Sequence, residues 1–383
     1  MRNAGFAEMI DFTRPGSATY VDADGVIRVA AVNVPRFDYA NGRRQLLLEG
    51  PATNFIAAGA NPRLWGGNGG DIADYDVPFG VLTNGVLSIS RGESYHRVSR
   101  SFNQGFSEGD KLGFLAVVKE GDNSSGQVGV TVGFADEEMT RYGVVEYAFD
   151  TGEFNLRQES ACSFDNLSAL ELASGVVLIR GTMTAKTDVI SGSFGVGPRS
   201  SVPGQNVVVY AGQMEFGANP SSLIYSIDGS DTTRPADKAQ LTEPVAALLR
   251  RDEVSLLVQG QGFQGEGGRL VGDGSSRRIV GFGTSETAIY AGNANAVTIG
   301  EAARPLPAFG IAVANSIPDS AKRGSFNSEA VVSNAFRLDS GFEEVFLGRD
   351  GAGRFAPGWF DRIVIWPFRM ADEDLQAKAV PHA

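Results

Sequence analysis

Two short segments of the chain combine aromatic rings with polar side chains, a mixture that suits the binding of a sugar. One covers residues 63–76 and the other covers residues 93–97. Aromatic faces stack on the apolar C–H faces of pyranose rings, while carboxylate, amide and guanidinium groups form hydrogen bonds with the hydroxyl groups. The residues that we assign to a ligand site are Trp65, Asp71, Asp74, Tyr75, Tyr95, His96 and Arg97.

The aromatic members of this set have a structural alternative. Trp65 fits a core position as well as a ligand contact, and Tyr75 and Tyr95 fit partial burial. Trp359 and Trp366 belong to a strand pattern near the end of the chain, where packing accounts for Trp366. Both interpretations stay open for the residues of the two segments.

The aspartates raise the question of a metal. Asp71, Asp74 and Asp76 could hold calcium through their carboxylate oxygens, or they could form a solvated acidic loop. Residues 22–25 begin like a calcium loop but lack the third acidic position and the downstream glutamate of an EF-hand, so they predict a turn. We therefore assign no cofactor and no metal ligand, and structural calcium stays an open alternative.

The sequence contains few of the residue combinations that enzymes use for catalysis. It has two histidines, His96 and His382, and one cysteine, Cys162, so no Ser-His-Asp, Cys-His or zinc arrangement can be assembled. The glycine-rich residues 260–268 contain no lysine and open no helix, which favours a loop over a phosphate cradle. Carboxylates are plentiful, but no spacing marks two of them as a glycosidase pair. We predict a protein without enzymatic activity.

The charge and the cysteine content narrow the partners and the compartment. The formal net charge is −12, which disfavours nucleic acid and anionic membrane surfaces as partners. A single cysteine excludes a disulfide within the chain and fits folding in a bacterial cytoplasm. The first residues predict no signal peptide, and no run of about 18 apolar residues predicts a membrane span.

The elements that must position these residues are short strands. The chain has 383 residues and 49 glycines, and apolar runs recur between glycine or polar breaks. Val130, Val132 and Phe134 are spaced so that they share one face of a strand. Hairpin turns are predicted at residues 22–25 and 41–42. The pattern predicts an all-β fold, with a small N-terminal β-hairpin segment followed by two antiparallel β-sandwich domains.

Residues 10–54 resemble the N-terminal segment of phage fibre and spike proteins. They contain, in order, the motifs TYVDADGVI, NVPRFDY and LLLEGPATN. The resemblance implies that residues 1–53 form an attachment and oligomerisation segment.

Two further stretches resemble known sandwich domains. Residues 207–237, with VYAGQMEFG, SLIYSIDGS and TRPAD, resemble the end of jelly-roll carbohydrate-binding modules of phage tail proteins. Residues 358–376, GWFDRIVIWPFRMADEDLQ, are similar to the last strand and helix of laminin-G or concanavalin-like domains, although Ala371 stands where a serine cap is usual. These resemblances imply a carbohydrate-binding jelly roll over residues 54–237 and a laminin-G-like sandwich over residues 238–383.

Together the resemblances imply a non-enzymatic spike or tail fibre on the surface of a tailed phage or a phage-like gene transfer particle. Such a protein adsorbs to polysaccharide of the host cell as a homo-oligomer, and its N-terminal segment meets other capsid or tail proteins. It would be assembled in the bacterial cytoplasm and released by lysis. The alternatives are a structural adaptor that joins another fibre to the particle, and a capsule depolymerase.

Overall fold

Strands make up most of the computed structural model, which describes residues 5–92, 96–136, 140–264, 267–275, 277–283, 288–292, 296–303, 305–316, 321–334 and 343–382. The strands are β1 (Ile10–Thr13), β2 (Ala18–Val21), β3 (Ile27–Ala30), β4 (Arg36–Asp38), β5 (Gln45–Leu48), β6 (Ala52–Asn54), β7 (Gly66–Asn68), β8 (Gly70–Tyr75), β9 (Gly85–Ser90), β10 (Arg97–Phe102), β11 (Lys111–Glu120), β12 (Gln127–Ala135), β13 (Thr140–Ala148), β14 (Phe154–Glu159), β15 (Cys162–Glu171), β16 (Val176–Ala185), β17 (Ser191–Pro198), β18 (Asn206–Phe216), β19 (Thr232–Arg234), β20 (Lys238–Leu241), β21 (Glu253–Gln261), β22 (Arg269–Asp273), β23 (Arg278–Phe282), β24 (Ala288–Ala291), β25 (Val297–Glu301), β26 (Phe309–Ser316), β27 (Ala321–Phe326), β28 (Val332–Asn334), β29 (Val345–Leu347) and β30 (Gly358–Trp366).

Helices are short in this structure. They are α1 (Phe6–Met9), α2 (Glu243–Leu249) and α3 (Asp372–Lys378), with single 3-10 turns at Pro62–Leu64 and Ala173–Gly175. In the part of the chain that the structure describes, none of them has the length and apolar character needed to cross a membrane.

The chain forms two compact units, each built from separate stretches of sequence. Unit 1 contains residues 1–16, 31–51 and 235–383, and unit 2 contains residues 17–30 and 52–234. This division differs from the predicted segments 1–53, 54–237 and 238–383, because the early strands are distributed over both units. A segment of about 50 residues buries too little surface to form a core alone, and two of its strands, β1 and β5, pair with strands from much later in the chain.

Unit 1 is an antiparallel β-sandwich. One of its seven-stranded sheets has the order β1-β20-β29-β22-β23-β24-β25, and the other has the order β28-β27-β26-β21-β30-β5-β4. The core between them includes Leu256, Phe263 and Phe360. The predicted helix after the last strand is present as α3, and its Leu375 packs with Ala312 on the outer side of the second sheet.

Unit 2 is also an antiparallel sandwich. Its two six-stranded sheets have the orders β14-β13-β12-β17-β10-β7 and β15-β16-β11-β18-β9-β8. Val130, Val132 and Phe134 lie in the shared core, as their spacing predicts. The prediction of an all-β fold with two antiparallel sandwiches is therefore confirmed.

The two predicted hairpin turns are present. β2 pairs with β3 around a turn in which Asp22 Oδ1 accepts hydrogen bonds from the amides of Asp24 (3.0 Å) and Val26 (2.9 Å). Gly25 follows with φ of 73°, a conformation that glycine adopts at low cost. β4 pairs with β5 around the second turn.

A buried ionic network links distant motifs within unit 1. The side chain of Arg36 lies between those of Glu49 and Asp237, with Nη1 at 2.6 Å from Glu49 Oε2. Arg14 Nη1 lies 3.0 Å from the other oxygen of Asp237. Burial opposes the charge of Arg36, but the two carboxylates outweigh burial and raise the pKa of its guanidinium. Arg36 and Glu49, from the motifs of residues 10–54, therefore meet Asp237 of the TRPAD motif in one structural cluster.

Candidate functional site

Polar side chains gather on the outward side of one sheet of unit 2, the sheet β14-β13-β12-β17-β10-β7. Side chains alternate between the two sides of a strand, and the apolar residues at every second position of β10, β12 and β17 point into the core. Their neighbours point outward and meet across the strands, for example Ser99, Gly195 and Thr131 in one row. We call this side the polar face, and its main side chains are Arg97, Thr131, Tyr142, Glu146, Asn155 and Arg199.

Several outward positions of the middle strands are glycines, which have no side chain to cover the backbone of the polar face. We call these positions the glycine floor. A Cβ atom at Gly129 would lie 2.5 Å from Cδ of Arg199, and one at Gly195 would lie 2.5 Å from Cδ of Arg97. Both distances are too short for real contacts, so a larger residue would displace the arginine. The absence of side chains at these positions lets the two arginines lie flat across the sheet.

Glu146 is the central carboxylate of the polar face. Its Oε1 lies 2.6 Å from Nε of Arg199, and its Oε2 lies 2.8 Å from Nε of Arg157. The amide of Asn155 is 3.5 Å from Oε2. The glutamate side chain is only 3% exposed, so these charge-assisted contacts hold it in one position.

Arg97 lies beside the ring of Tyr142, with its guanidinium carbon 5.5 Å from the ring centroid. Burial lowers the pKa of Arg97, and the positive charge of Arg199 lowers it further, while Tyr142 opposes both effects. An arginine nevertheless stays charged at neutral pH. Tyr142 is half-buried and lies over Gly133, so its ring adds an aromatic surface to the charged groups.

The polar face combines the groups that recognise a saccharide. The partly exposed guanidinium group of Arg199 can donate hydrogen bonds to hydroxyl or ring oxygens, and the amide of Asn155 can donate and accept. Arg97 is only 7% exposed, and it lies beside the ring of Tyr142. The ring of Tyr142 offers a surface for C–H contacts. Because Glu146 is fixed by its ion pairs, the donors around it are ordered before a ligand arrives, which lowers the entropy lost on binding.

Among the predicted site residues, Arg97 lies on the polar face and Trp65 does not. Trp65 is 5% exposed, its indole Nε1 donates to the carbonyl of Ala58 at 3.0 Å, and its ring meets Phe194 edge-on at 6.2 Å. This is the core position that the sequence left as the alternative. In this arrangement the ring has no open face for a sugar.

Asp71 and Asp74 lie on β8, the edge strand of the other six-stranded sheet. Asp71 Oδ1 accepts a hydrogen bond from Arg91 Nε at 2.9 Å, and this bond lowers the pKa of the carboxyl. Asp74 lies 3.4 Å and Asp76 lies 2.6 Å from the guanidinium of Arg63. Each of these aspartates therefore faces an arginine.

The described residues contain no group of three or more histidine, cysteine, aspartate and glutamate side chains arranged to hold a metal ion. Asp71, Asp74 and Asp76 consequently do not form such a group, and two of them belong to a strand instead of a loop.

The remaining predicted residues are placed apart from one another. Tyr75 is half-buried and packs edge-on against Tyr210 at 6.0 Å, within the other sheet. His96 directly precedes β10 and is 2% exposed. Tyr95 lies outside the described residues. The described members of the predicted set thus do not come together as one site, and among them only Arg97 lies on the polar face.

Cys162, the single cysteine, is fully buried at the start of β15. Burial raises the pKa of its thiol to about 12. The side chain is therefore a neutral thiol at physiological pH, which suits a core residue and not a nucleophile.

Sequence reasoning missed Tyr142, Glu146 and Arg199. A signal for them exists, because residues 127–134 alternate between apolar residues and small or glycine residues, and residues 192–198 do the same. Glycines at most of the outward positions, with Thr131 and Ser193 at the others, indicate a strand face over which other side chains lie. The strand order that brings these two segments together is not visible in the sequence.

Comparisons with known proteins assign this chain to no family. No protein-family model and no curated protein matches the chain. Among the solved structures that match is the CBM22-1 xylan-binding domain of Paenibacillus barcinonensis Xyn10C, which covers 44% of this chain and 94% of its own length with 13% identity and a TM-score of 0.29. A similarity of this size supports no argument, and the assignment of both units as sandwiches rests on their own strand pairing.

Proposed function

We propose that unit 2 binds polysaccharide through the polar face. The observation that carries this proposal is the fixed carboxylate of Glu146 between Arg199 and Arg157, beside Arg97 and Tyr142, above a floor of glycines. A shallow, preordered and polar strand face with one aromatic ring suits an extended sugar chain better than it suits an apolar small molecule.

The finer proposal is a surface spike or fibre of a phage or phage-like particle that adsorbs to host polysaccharide without cleaving it. It is supported by the motifs in residues 10–54 and 207–237. A single shallow sugar site binds weakly, so we propose a homo-oligomer in which several linked copies raise the effective concentration. In this proposal other particle proteins bind the early part of the chain.

The test is equilibrium binding of the purified protein to a panel of bacterial surface polysaccharides. Tyr142→Ala removes the aromatic surface of the polar face, and we expect it to weaken binding by roughly fivefold, which corresponds to about 1 kcal/mol. Tyr20→Ala is the matched control, because Tyr20 is also a half-buried tyrosine of unit 2 but belongs to the β2–β3 hairpin. The control is expected to bind like the unchanged protein.

Three outcomes would contradict the proposal. Equal affinities of both variants and the unchanged protein would exclude the polar face as the site. A failure to bind any polysaccharide, together with tight binding of a second particle protein, would favour an adaptor. Release of reducing ends or unsaturated sugars would establish a depolymerase.

A further inference from the structure

Unit 1 carries four arginines close together on the outward side of the sheet β1-β20-β29-β22-β23-β24-β25. We call them the arginine cluster, and they are Arg269, Arg278, Arg349 and Arg354. Two of them lie on strands β22 and β23, and the other two lie in the segment after β29. Gly281 and its partner Tyr290 lie between core residues of their strands, so they mark the outward side on which Arg278 rests.

Arg278 is held by neutral groups. Its Nε donates to the carbonyl of Gly292 at 2.8 Å, and its Nη1 donates to the carbonyl of Phe282 at 2.7 Å. The guanidinium carbon lies 4.6 Å from the centroid of the Tyr290 ring. Within the described residues, no carboxylate lies within ion-pair distance of this half-buried cation.

Arg349 is held in a similar way. Its Nε donates to the carbonyl of Asp350 at 3.0 Å, and its guanidinium carbon lies 4.9 Å from the ring centroid of Phe355. In the described ranges no carboxylate lies within ion-pair distance of its guanidinium, although the charge of Asp350 acts on it from further away. Both guanidinium groups are therefore fixed by a ring and a carbonyl, and this leaves their remaining N–H groups in defined directions.

Asp350 is the carboxylate of the cluster. It is fully buried, and its Oδ2 lies 2.8 Å from Nε of Arg354 and 3.4 Å from Nε of Arg269. The pKa of Arg278 is lowered to about 10, chiefly by burial and in part by the positive charges of Arg269 and Arg354. Burial also lowers the pKa of Arg349. Positive charge is thus concentrated here without a matching number of carboxylates among the described residues.

We propose that the arginine cluster binds the carboxylate or sulfate group of an acidic saccharide. Fixed guanidinium groups match the oxygens of such groups and bind them through two parallel hydrogen bonds. An anion bound at the cluster would add negative charge beside arginines that outnumber the carboxylates among the described residues. The formal net charge of −12 disfavours a nucleic acid, whereas a saccharide presents its acidic groups singly. The cluster is independent of the polar face of unit 2.

The test is titration of the protein with polygalacturonate, with dextran sulfate and with the methyl ester of polygalacturonate, which lacks the charge. We expect Arg278→Gln and Arg349→Gln each to weaken binding of the acidic polymers by roughly tenfold. Arg362→Gln is the matched control, because it removes the same charge from an exposed position of unit 1 on β30. We expect the control to stay within about twofold of the unchanged protein.

A charge-preserving variant tests whether binding needs the planar shape of the Arg278 guanidinium or only its positive charge. Arg278→Lys keeps the cation but loses the planar group, so we expect it to recover less than half of the lost affinity. Thermal unfolding identifies any variant that fails to fold. If Arg278→Gln fails to fold, Arg349→Gln is used to test the proposal. Variants of Tyr142 are expected to leave this binding unchanged, so a failure here is distinct from a failure of the polar face.

Four results would overturn the proposal. These are no binding of either acidic polymer, equal binding of the methyl ester, an equal loss in Arg362→Gln, and full recovery in Arg278→Lys. Tighter binding of a single-stranded oligothymidylate than of both polymers would also overturn it, because the ligand would then be a phosphate chain.

Discussion

Individual charged residues explain why the recognisable motifs of this chain are specific. Arg14, Arg36 and Glu49 come from the first 54 positions, and Asp237 comes from far along the chain, yet all four meet in the interior of unit 1. Their side chains are almost fully buried. A buried charge needs its partner, so these residue types cannot change one at a time. These four residues therefore serve a structural network inside unit 1.

We expect Asp237→Asn to destabilise unit 1 by about 3–5 kcal/mol, because it leaves two buried arginines without their shared carboxylate. Urea denaturation followed by tryptophan fluorescence measures the change, since Trp359 and Trp366 belong to unit 1. Asp252→Asn is the control, because Asp252 is exposed in the same unit, and its effect should stay within about 0.5 kcal/mol. Equal midpoints for both variants would show that the network does not stabilise the unit.

Single strands were predictable where their side chains alternate. The core side of β12 and the hairpins β2–β3 and β4–β5 follow from residue spacing and from glycines in the turns. The polar face was not predictable, because it requires β12 to lie beside β17 and β13 beside β14. Such pairings join residues far apart in sequence, and no local pattern specifies them. Trp65 was assigned to the ligand site because it is aromatic, but its burial makes it a core residue.

The glycine floor leads to a prediction about strand β17. We expect Gly195→Ala to weaken polysaccharide binding by unit 2, because the new methyl group would lie 2.5 Å from Cδ of Arg97 and displace that side chain. A loss of about 1 kcal/mol in binding free energy is expected, because the displaced Arg97 would disturb the ring of Tyr142 that it contacts. Gly66→Ala on β7 of the same sheet is the control, because its Cβ would meet only a carbonyl oxygen at 3.9 Å. Undiminished binding by Gly195→Ala would remove Arg97 from the proposed site.

The complete chain combines two sandwiches whose sequences are interleaved. Residues 1–16 and 31–51 supply β1, β4 and β5 to unit 1, while residues 17–30 supply the hairpin β2–β3 to unit 2. Composition and strand content predicted two sandwiches, but the order of residues along the chain cannot show that the early strands pair with strands more than 200 positions later. The role of residues 1–53 in attachment stays a prediction.

Hydroxyl-radical footprinting with and without a polysaccharide that binds the protein tests the proposed site most directly. Tyr142 lies on the polar face, and Tyr75 lies on the other sheet of the same unit and is also half-buried. We expect the polysaccharide to reduce oxidation of Tyr142 and to leave oxidation of Tyr75 unchanged. Protection of Tyr75 with unchanged oxidation of Tyr142 would contradict binding at the polar face.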